Sequence, residues 1–244
     1  MGSQEVISDF SERLIPVAEF LGGAAGSCRE YVEELVATKL VERIKERLIG
    51  VTQFAKASIT GIENFHLYRT FLYVLVRSLR PEVFLETGVL HGFSSAFILQ
   101  AMKENGQGRL VSIDLPHRDE QFVDQGTHPL PAGRQPGWAI PIDLLDRHDL
   151  RLGDAVRLLP SYFLSEKPPD VFLHDSDHNY AHMAFELALA YKNLASGSLL
   201  IVDNIEWNTA FQDFCRGTQV RNLVVVSYPK EHPEYWLHGI IKIP

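Results

Sequence analysis

Short apolar segments alternate with longer amphipathic segments from residue 83 onward, and this alternation limits the fold more than any other feature of the chain. Short apolar segments are typical of buried strands, and longer segments with a 3.6-residue period are typical of helices. The alternation predicts a parallel sheet with helices on both faces. Strands are predicted at 83–86, 109–114, 149–152, 170–174 and 199–203. Helices are predicted between them, at 94–104, 154–164, 180–194 and 206–216.

Two further β-rich segments follow the last of these helices, at 222–228 and 235–243. The five residues that join them, from Pro229 to Pro233, are too few for a crossover helix, so the two segments should form an antiparallel hairpin. The expected fold class is therefore α/β, with a seven-stranded, mostly parallel sheet whose last strand is antiparallel.

Helical periodicity dominates the residues before the sheet, from Ser8 to Ile49 with a break at Gly22–Gly23, and again from His66 to Leu79. We therefore expect an N-terminal helical extension over 1–80 and a second domain over 81–244. Residues 115–147 interrupt the strand–helix alternation with a segment rich in proline and glycine. A loop of this length is usually functional or disordered, and we expect an ordered lid over the strand ends.

The charge and composition of the chain exclude several kinds of partner. A formal net charge of −8 without a basic cluster would repel a phosphate backbone, so no nucleic-acid partner is expected. The two cysteines are too few for a disulfide framework and suit the cytoplasm. No apolar run approaches the roughly 18 residues of a membrane span, and residues 1–6 lack a signal-peptide core. Amphipathic N-terminal helices often supply dimer contacts, and the sequence leaves open whether the chain is a homodimer.

Ligands of an open parallel sheet bind at the carboxyl ends of its strands, so the residues that close each predicted strand are the candidates. The first strand runs into a turn and a helix whose candidate residues are Glu86, Thr87, Gly88, Gly92 and Ser94. The turn reads Gly-x-x-x-Gly rather than G-x-G-x-x-G, which disfavours a pyrophosphate ligand. Glu86 suits a cationic group, and Asp114 is placed to accept hydrogen bonds from two ribose hydroxyls. A nucleoside with a cationic, amino-acid-like tail fits both.

Residues 81–244 resemble the class I S-adenosylmethionine-dependent methyltransferases. The turn at 86–95 is similar to that family's first motif, Asp114 to its ribose-binding acid and Asp154 to its adenine-edge acid. Asp154 is explained equally well as the N-cap of the following helix, and one residue could do both. The reversed last strand agrees with the family's Rossmann-like sheet. The resemblance implies S-adenosylmethionine as the cofactor.

The segment 175–180, followed by Ile201-Val202-Asp203-Asn204, resembles the metal-dependent O-methyltransferases of this class. That group includes catechol, caffeoyl-CoA and macrolide-sugar enzymes, and the segment is similar to the macrocin-type, methyltransferase-24-like branch. From the residues themselves, Asp175 closes the fourth strand while Asp203 and Asn204 close the fifth, and adjacent strands lie only about 4.8 Å apart. Two carboxylates and an amide oxygen favour Mg²⁺, Mn²⁺ or Ca²⁺.

The predicted reaction is O-methylation of a small polyoxygenated molecule by in-line displacement. The metal would lower the pKa of an acceptor hydroxyl, and the oxyanion would attack the sulfonium methyl. We predict His178 as the general base, with Asp175 assisting, because a histidine is competent at neutral pH. The catechol and caffeoyl-CoA enzymes hold a lysine there, whereas a histidine agrees with the macrolide-sugar type.

Other interpretations stay open at this point. A metal-independent N- or carboxyl-methyltransferase would leave Asp175 and Asp203 structural, and a cofactor-binding protein without turnover would need neither. A non-haem iron oxygenase using His174 or His178 would not explain the glycine turn. His174 is expected to be a core residue, Asp177 a cap or surface acid, and Trp207 either a substrate wall or a core aromatic. We expect solvated positions for His91, His117, His128 and His182.

Overall fold

Two units, each drawn from several stretches of the sequence, make up the chain. The structure, a computed structural model, describes residues 3–22, 26–51, 67–116, 130–228 and 236–244. The first unit, here called the helical unit, comprises Met1–Leu79, Val89–Gly106 and Pro116–Arg147. The second, the sheet unit, comprises Arg80–Gly88, Gln107–Leu115 and His148–Pro244. The predicted linker from Pro229 to Pro233, Gly23, His66, His117 and His128 lie outside the described residues.

Helices form the helical unit, and the N-terminal ones fall where the periodicity predicts them. They are α1 (Ser3–Arg13), α2 (Ile15–Leu21), α3 (Gly26–Ala37), α4 (Leu40–Leu48), α5 (Leu67–Leu79) and α6 (Phe93–Asn105), with a 3₁₀ helix at Ile142–Arg147. The predicted break after α2 falls at Gly22, whose left-handed φ of 79° ends the helix. No helix in the described ranges is long and apolar enough to cross a membrane.

Ion pairs connect the helices of this unit. Glu34 on α3 accepts hydrogen bonds from the Tyr73 hydroxyl at 2.5 Å and the Arg77 guanidinium at 2.6 Å, both on α5. Asp143 in the 3₁₀ helix accepts from Arg43 on α4 at 2.5 Å and from Lys103 on α6 at 2.7 Å. The described end of the predicted lid is therefore fastened to helices of its own unit.

Seven strands form the sheet of the other unit. They are β1 (Val83–Thr87), β2 (Arg109–Asp114), β3 (His148–Leu152), β4 (Val171–His174), β5 (Leu199–Val202), β6 (Asn222–Tyr228) and β7 (Trp236–Lys242), in the spatial order β3-β2-β1-β4-β5-β7-β6. Strands β1 to β5 pair in parallel, and β7 runs antiparallel to both β5 and β6. The predicted fold class is confirmed. The reversed strand, last in the chain, lies one place in from the sheet edge.

Helices α7 (Ala155–Ser165), α8 (Tyr180–Asn193) and α9 (Ala210–Thr218) bury one face of this sheet. Leu85, Phe172 and Leu200 pack there in one cluster with Leu187 of α8 and Phe211 of α9. Complete burial of each such side chain is worth about 1.5–3 kcal/mol. Residues that alternate with these on the central strands, including Phe84 and Leu173, are also fully buried. Side chains on both faces of the central strands are thus buried, as expected of parallel strands.

The start of α9 differs from the prediction, since the helix begins at Ala210 and not at residue 206. Asn204 takes a left-handed φ of 48°, and the Glu206 carboxylate accepts a hydrogen bond from the backbone N–H of Leu237 at 3.0 Å. The Asn208 side chain caps the N–H of Ala210 at 2.7 Å. These local bonds hold residues 204–209 in a turn between β5 and α9.

Candidate active site

The strand order reverses between β1 and β4, where the carboxyl ends of the two strands lie side by side. The N–H of Asp175 donates to the carbonyl of Thr87 at 3.0 Å, and the N–H of Gly88 donates to that of Ile113 at 2.9 Å. Gly88 has a left-handed φ of 81°, and a Cβ there would lie 1.9 Å from the Asp175 carbonyl oxygen. Glycine is required here because the first turn and the residue after β4 touch through their backbones.

Three ionisable side chains converge at the ends of β4 and β5. Asp175, His178 and Asp203 each offer a ligand atom, and these atoms lie within 4.8 Å of one another. The imidazole Nε2 of His178 lies 3.8 Å from Oδ1 of Asp175. The structure therefore brings together two predicted ligands and the predicted base. Such a group is the arrangement a divalent cation requires, although acidic groups also cluster without one.

The carboxylate of Asp203 is buried and heavily hydrogen-bonded. Its Oδ1 accepts from the Trp236 indole N–H at 2.6 Å, from His238 Nδ1 at 2.5 Å and from the backbone N–H of Asn204 at 2.8 Å. Burial alone would raise the pKa of Asp203, but the adjacent His238 imidazole outweighs it and the pKa falls to about 2. The group is ionised at neutral pH, as a metal ligand must be.

Asn204 follows Asp203 directly and is half-buried. Its amide nitrogen Nδ2 donates to the Glu206 carboxylate at 3.2 Å. With the amide nitrogen engaged in this way, the oxygen Oδ1 is the atom that Asn204 can present to a cation. Asn204 stays a predicted ligand on this basis.

The imidazole of His178 packs between two other rings. The ring centroid of Trp207 lies 5.0 Å away and that of His174 lies 5.6 Å away. Asn208 Nδ2 donates to the His178 carbonyl at 2.8 Å, which ties the loop after β4 to the turn after β5. Trp207 is 50% exposed, so the interpretation of Trp207 as a core aromatic is wrong. Its exposed indole borders the three-residue cluster.

A buried carboxylate, Glu186 on α8, holds the ends of β1 and β4. It accepts hydrogen bonds from Thr87 at 2.6 Å, His174 at 2.7 Å, Ser176 at 3.1 Å and His182 at 2.9 Å. Burial would raise the pKa of Glu186, but the hydrogen bonds from the two histidines lower it to about 2. The side chain of the predicted cofactor residue Thr87 is therefore committed to this cluster.

Of the predictions for the two histidines that bond to Glu186, one is confirmed and the other is wrong. His174 is fully buried and bonded to Glu186, which confirms that it is a core residue. The expected solvated position of His182 is wrong, because its side chain is only 15% exposed and is hydrogen-bonded to Glu186. The same hydrogen bond raises the pKa of His182. Asp177 is an exposed acid that accepts from the backbone N–H and side chain of Asn179, as predicted.

Glu86 closes β1 as the first member of a polar chain across three strands. Ser112 on β2 donates to Glu86 Oε1 at 2.6 Å, and the Ser112 hydroxyl lies 2.8 Å from Nε2 of His148 on β3. Burial lowers the pKa of His148 to about 4, so its imidazole is neutral at pH 7. Because the Ser112 proton goes to Glu86, the neutral His148 donates to the serine oxygen, and Glu86 is held in one orientation.

The two other predicted acids of the sheet unit also lie at strand ends. Asp114 is half-buried at the end of β2, and its Oδ1 accepts from the backbone N–H of Leu115 at 2.7 Å. Asp154 is exposed and caps α7 by accepting from the N–H of Val156 at 2.9 Å. Its capping interpretation is confirmed, and its predicted contact with an adenine stays a prediction.

The last two predicted cofactor residues belong to the helical unit. Gly92 caps α6 with a φ of 85°, and Ser94 is half-buried in the first turn of α6. A Cβ on Gly92 would lie 2.8 Å from the Cα of Gly137, so packing alone explains the glycine. His91 is buried and accepts from the Trp138 indole at 2.9 Å, so its expected solvated position is wrong.

Several residues that build this region were not predicted. The strand-end argument includes Ser112 without giving it a role, and it does not reach His148, Glu186, Ser227, Trp236 and His238. Glu186 had a signal, because it interrupts the apolar face of α8 between Met183 and Leu187. His238 had none, because its burial in β7 depends on strand pairing that spacing does not encode.

Comparison with known proteins agrees with this fold. Residues 85–205, about half of the chain, match the methyltransferase-24 family, which is described as a methyltransferase domain. No curated protein matches the chain. The O-methyltransferase TomG of Streptomyces achromogenes, involved in tomaymycin synthesis and bound to S-adenosylmethionine, is 16% identical, with 83% of this chain and 89% of that one covered and a TM-score of 0.55.

Two further solved structures share the fold. The O-methyltransferase of Bacillus cereus in complex with S-adenosylhomocysteine is 16% identical, with 84% of this chain and 90% of that one covered and a TM-score of 0.54. The Podospora anserina methyltransferase PaMTH1, bound to S-adenosylhomocysteine, is 15% identical, with 84% and 87% covered and a TM-score of 0.51. Through residues 85–205 the chain belongs to the methyltransferase-24 family, on the fold of class I S-adenosylmethionine-dependent methyltransferases.

Proposed function

We propose that this chain transfers a methyl group from S-adenosylmethionine to a hydroxyl of a small polyoxygenated molecule, with the help of a divalent cation. The observation that carries the proposal is the convergence of Asp175, His178 and Asp203 within 4.8 Å at the ends of two parallel strands. Through Gly88, the backbone of the first turn lies against Asp175. The carboxyl end of β1 and the residues proposed for the cation therefore lie together at the reversal of the strand order, where ligands of such sheets bind.

The proposed ligands fit a hard cation. Asp175 and Asp203 supply carboxylate oxygens and Asn204 an amide oxygen, which suits Mg²⁺, Mn²⁺ or Ca²⁺. Oδ1 of Asp203 already accepts three hydrogen bonds, so Oδ2 is the oxygen that Asp203 would offer. Magnesium usually keeps several waters, so three protein ligands leave positions for acceptor oxygens.

Residues at the ends of β1 and β2 support the choice of cofactor. Glu86, held by the hydrogen bond from Ser112, is the carboxylate that we assign to the amino group of the cofactor's methionine part. Asp114 closes β2, which is the position of the ribose-binding acid in the family that the sequence resembles. Gly88 and Asp154 are the further proposed contacts in the sheet unit, and Gly92 and Ser94 stay predictions.

Proton removal is assigned to His178. When bound, the cation supplies the positive charge that lowers the pKa of an acceptor hydroxyl, and S-adenosylmethionine supplies the methyl group. His178 takes the hydroxyl proton at Nε2, and Asp175, 3.8 Å from that nitrogen, stabilises the imidazolium. The half-exposed indole of Trp207 lies against His178 and offers an apolar surface to the acceptor.

Removal and return of the metal tests the proposal. The chain is treated with EDTA and assayed for methyl transfer to small diols and sugars, with and without added Mg²⁺. We expect activity to fall on chelation and to return with Mg²⁺, and Asp203→Ala to lose this response. Activity that is unchanged by EDTA would contradict the proposed role of the cation.

One observation favours a second function, a metal-independent N- or carboxyl-methyltransferase. The hydrogen bonds of Asp203 to Trp236 and His238 give this carboxylate a structural role that needs no cation. In that case amine or carboxylate acceptors would be methylated in the presence of EDTA, and Asp203→Asn would lower stability more than turnover.

We also propose a cytoplasmic enzyme whose partners are small molecules and not nucleic acids or membranes. The formal charge of −8 supports the absence of nucleic-acid binding, and two cysteines suit a reducing compartment. We keep the homodimer as a proposal, which light scattering would test.

A further inference from the structure

We propose that His238 is a positioning residue that, together with Trp236 and Ser227, fixes the Asp203 carboxylate for cation binding. This inference rests on the proposed function, because it concerns the cation of the same site. All three residues come from the antiparallel pair β6 and β7, which follows the matched methyltransferase domain in the chain.

The hydrogen bonds form a continuous buried array. His238 Nδ1 lies 2.5 Å from Oδ1 of Asp203, and His238 Nε2 lies 2.6 Å from the Ser227 hydroxyl. The exposed fractions are 2% for Asp203, 0% for His238 and 1% for Ser227. Burial of this degree makes each hydrogen bond costly to lose, because water cannot replace the missing partner.

One proton of the array follows from elementary bonding rules. The ionised Asp203 carboxylate only accepts, so His238 carries a proton on Nδ1 and donates it. The Ser227 hydroxyl can donate or accept, so it satisfies Nε2 at the other side of the ring. Asp203 and Ser227 therefore hold the His238 imidazole from both of its nitrogens.

The array resembles a serine–histidine–aspartate triad in its bonding, but its position assigns it a different task. Ser227 is buried within β6, so its hydroxyl is out of reach of a substrate. Trp236 and His238 both donate to Oδ1, so Oδ2 is the oxygen that Asp203 would offer to the proposed cation. The hydrogen bonds to Oδ1 therefore fix the orientation of the Asp203 carboxylate. Residues that bond to metal ligands generally orient them in this way.

Mn²⁺ affinity of the full chain without cofactor, measured by electron paramagnetic resonance of free Mn²⁺, tests the inference. We expect His238→Leu to weaken Mn²⁺ binding by about 10- to 100-fold. His238→Asn should bind close to wild type, because its amide can donate from the place of Nδ1. Ser227→Ala should weaken binding less than His238→Leu. As a matched control, His148→Leu removes another histidine–serine bond of the same sheet and should leave Mn²⁺ affinity unchanged.

Other results would contradict either the positioning role of His238 or the proposed cation site on which it rests. Equal Mn²⁺ affinity of folded His238→Leu and wild type would overturn the inference alone. Loss in His238→Asn as large as in His238→Leu, or an equal loss in His148→Leu, would show a general loss of stability and would also overturn it. If His238→Leu does not fold, Ser227→Ala decides, and unchanged affinity there overturns the inference. Wild-type protein that binds no Mn²⁺ would instead overturn the proposed cation site.

Discussion

Individual residues carry most of the chemistry proposed here, and Gly88 is where the cofactor turn and the cation ligands meet. Its φ of 81° is matched by Gly197, whose φ is 87° and whose Cβ would meet nothing within 4 Å. The two glycines therefore share backbone strain but differ in close approach, so a comparison of their alanine variants isolates the contact with Asp175.

We expect Gly197→Ala to cost about 1–2 kcal/mol from backbone strain alone. Gly88→Ala should cost about 1–3 kcal/mol more, because the backbone of Asp175 must move to admit the methyl group. Urea unfolding measures both values. Equal destabilisation by the two substitutions would show that the backbone contact between Gly88 and Asp175 contributes nothing.

His178 lies close enough to both carboxylates to be either a base or a ligand, and its substitution separates the two roles. Hard cations prefer oxygen, which favours the base. His178→Ala should lower kcat by about 10²- to 10⁴-fold and leave Mg²⁺ affinity near that of wild type. Single-turnover kinetics and calorimetric titration measure these quantities. A large loss of Mg²⁺ affinity would make His178 a ligand instead.

At the scale of elements, α8 is joined to β1 and β4 through Glu186, and this joint should depend on pH. The hydrogen bond to Glu186 raises the pKa of His182 above its usual 6.5, against the effect of partial burial, and the charges of Glu186, Asp177 and Asp154 add to the rise. A raised folded-state pKa gives stability that is complete below about pH 6.5 and is lost as the pH rises through the raised value.

The charge of His182 can be removed while a hydrogen-bond donor is kept. His182→Gln should therefore be less stable than wild type by about 1–3 kcal/mol near pH 6, and the difference should shrink at alkaline pH. Glu186, with a pKa of about 2, stays ionised over this range. Thermal unfolding between pH 5.5 and 9 tests this, and a difference that grows with pH would contradict it.

The central strands β1, β2, β4 and β5 were predictable from the sequence because buried strands of a parallel sheet are short, continuous and apolar. Each predicted strand lies within one residue of the observed one. The start of α9 was not predictable by periodicity, since side-chain bonds of Asn208 and Glu206 decide it. Asp175 and Asp203 could be placed together because parallel strands end at one edge. His238 could not, because its role depends on the pairing of β7 with β5, which spacing does not encode.

At the scale of the whole molecule, the proposed cofactor should stabilise the fold. S-adenosylhomocysteine at 100 times its Kd should add about 2.7 kcal/mol. For a chain of this size that shift corresponds to a rise in Tm of roughly 5–11 °C. NAD should give no such rise, because the first turn lacks the pyrophosphate-binding glycine pattern. Asp114→Ala should lose most of the response to S-adenosylhomocysteine. Stabilisation by NAD in place of S-adenosylhomocysteine would contradict the assigned cofactor.

The central claim is that the carboxylates of Asp175 and Asp203 hold a divalent cation. Anomalous diffraction from crystals grown with Mn²⁺ and S-adenosylhomocysteine tests it most directly. The account predicts an anomalous peak about 2.0–2.6 Å from oxygens of both Asp175 and Asp203. Crystals in which Mn²⁺ lies elsewhere, with these carboxylates bonded only to protein groups, would contradict it.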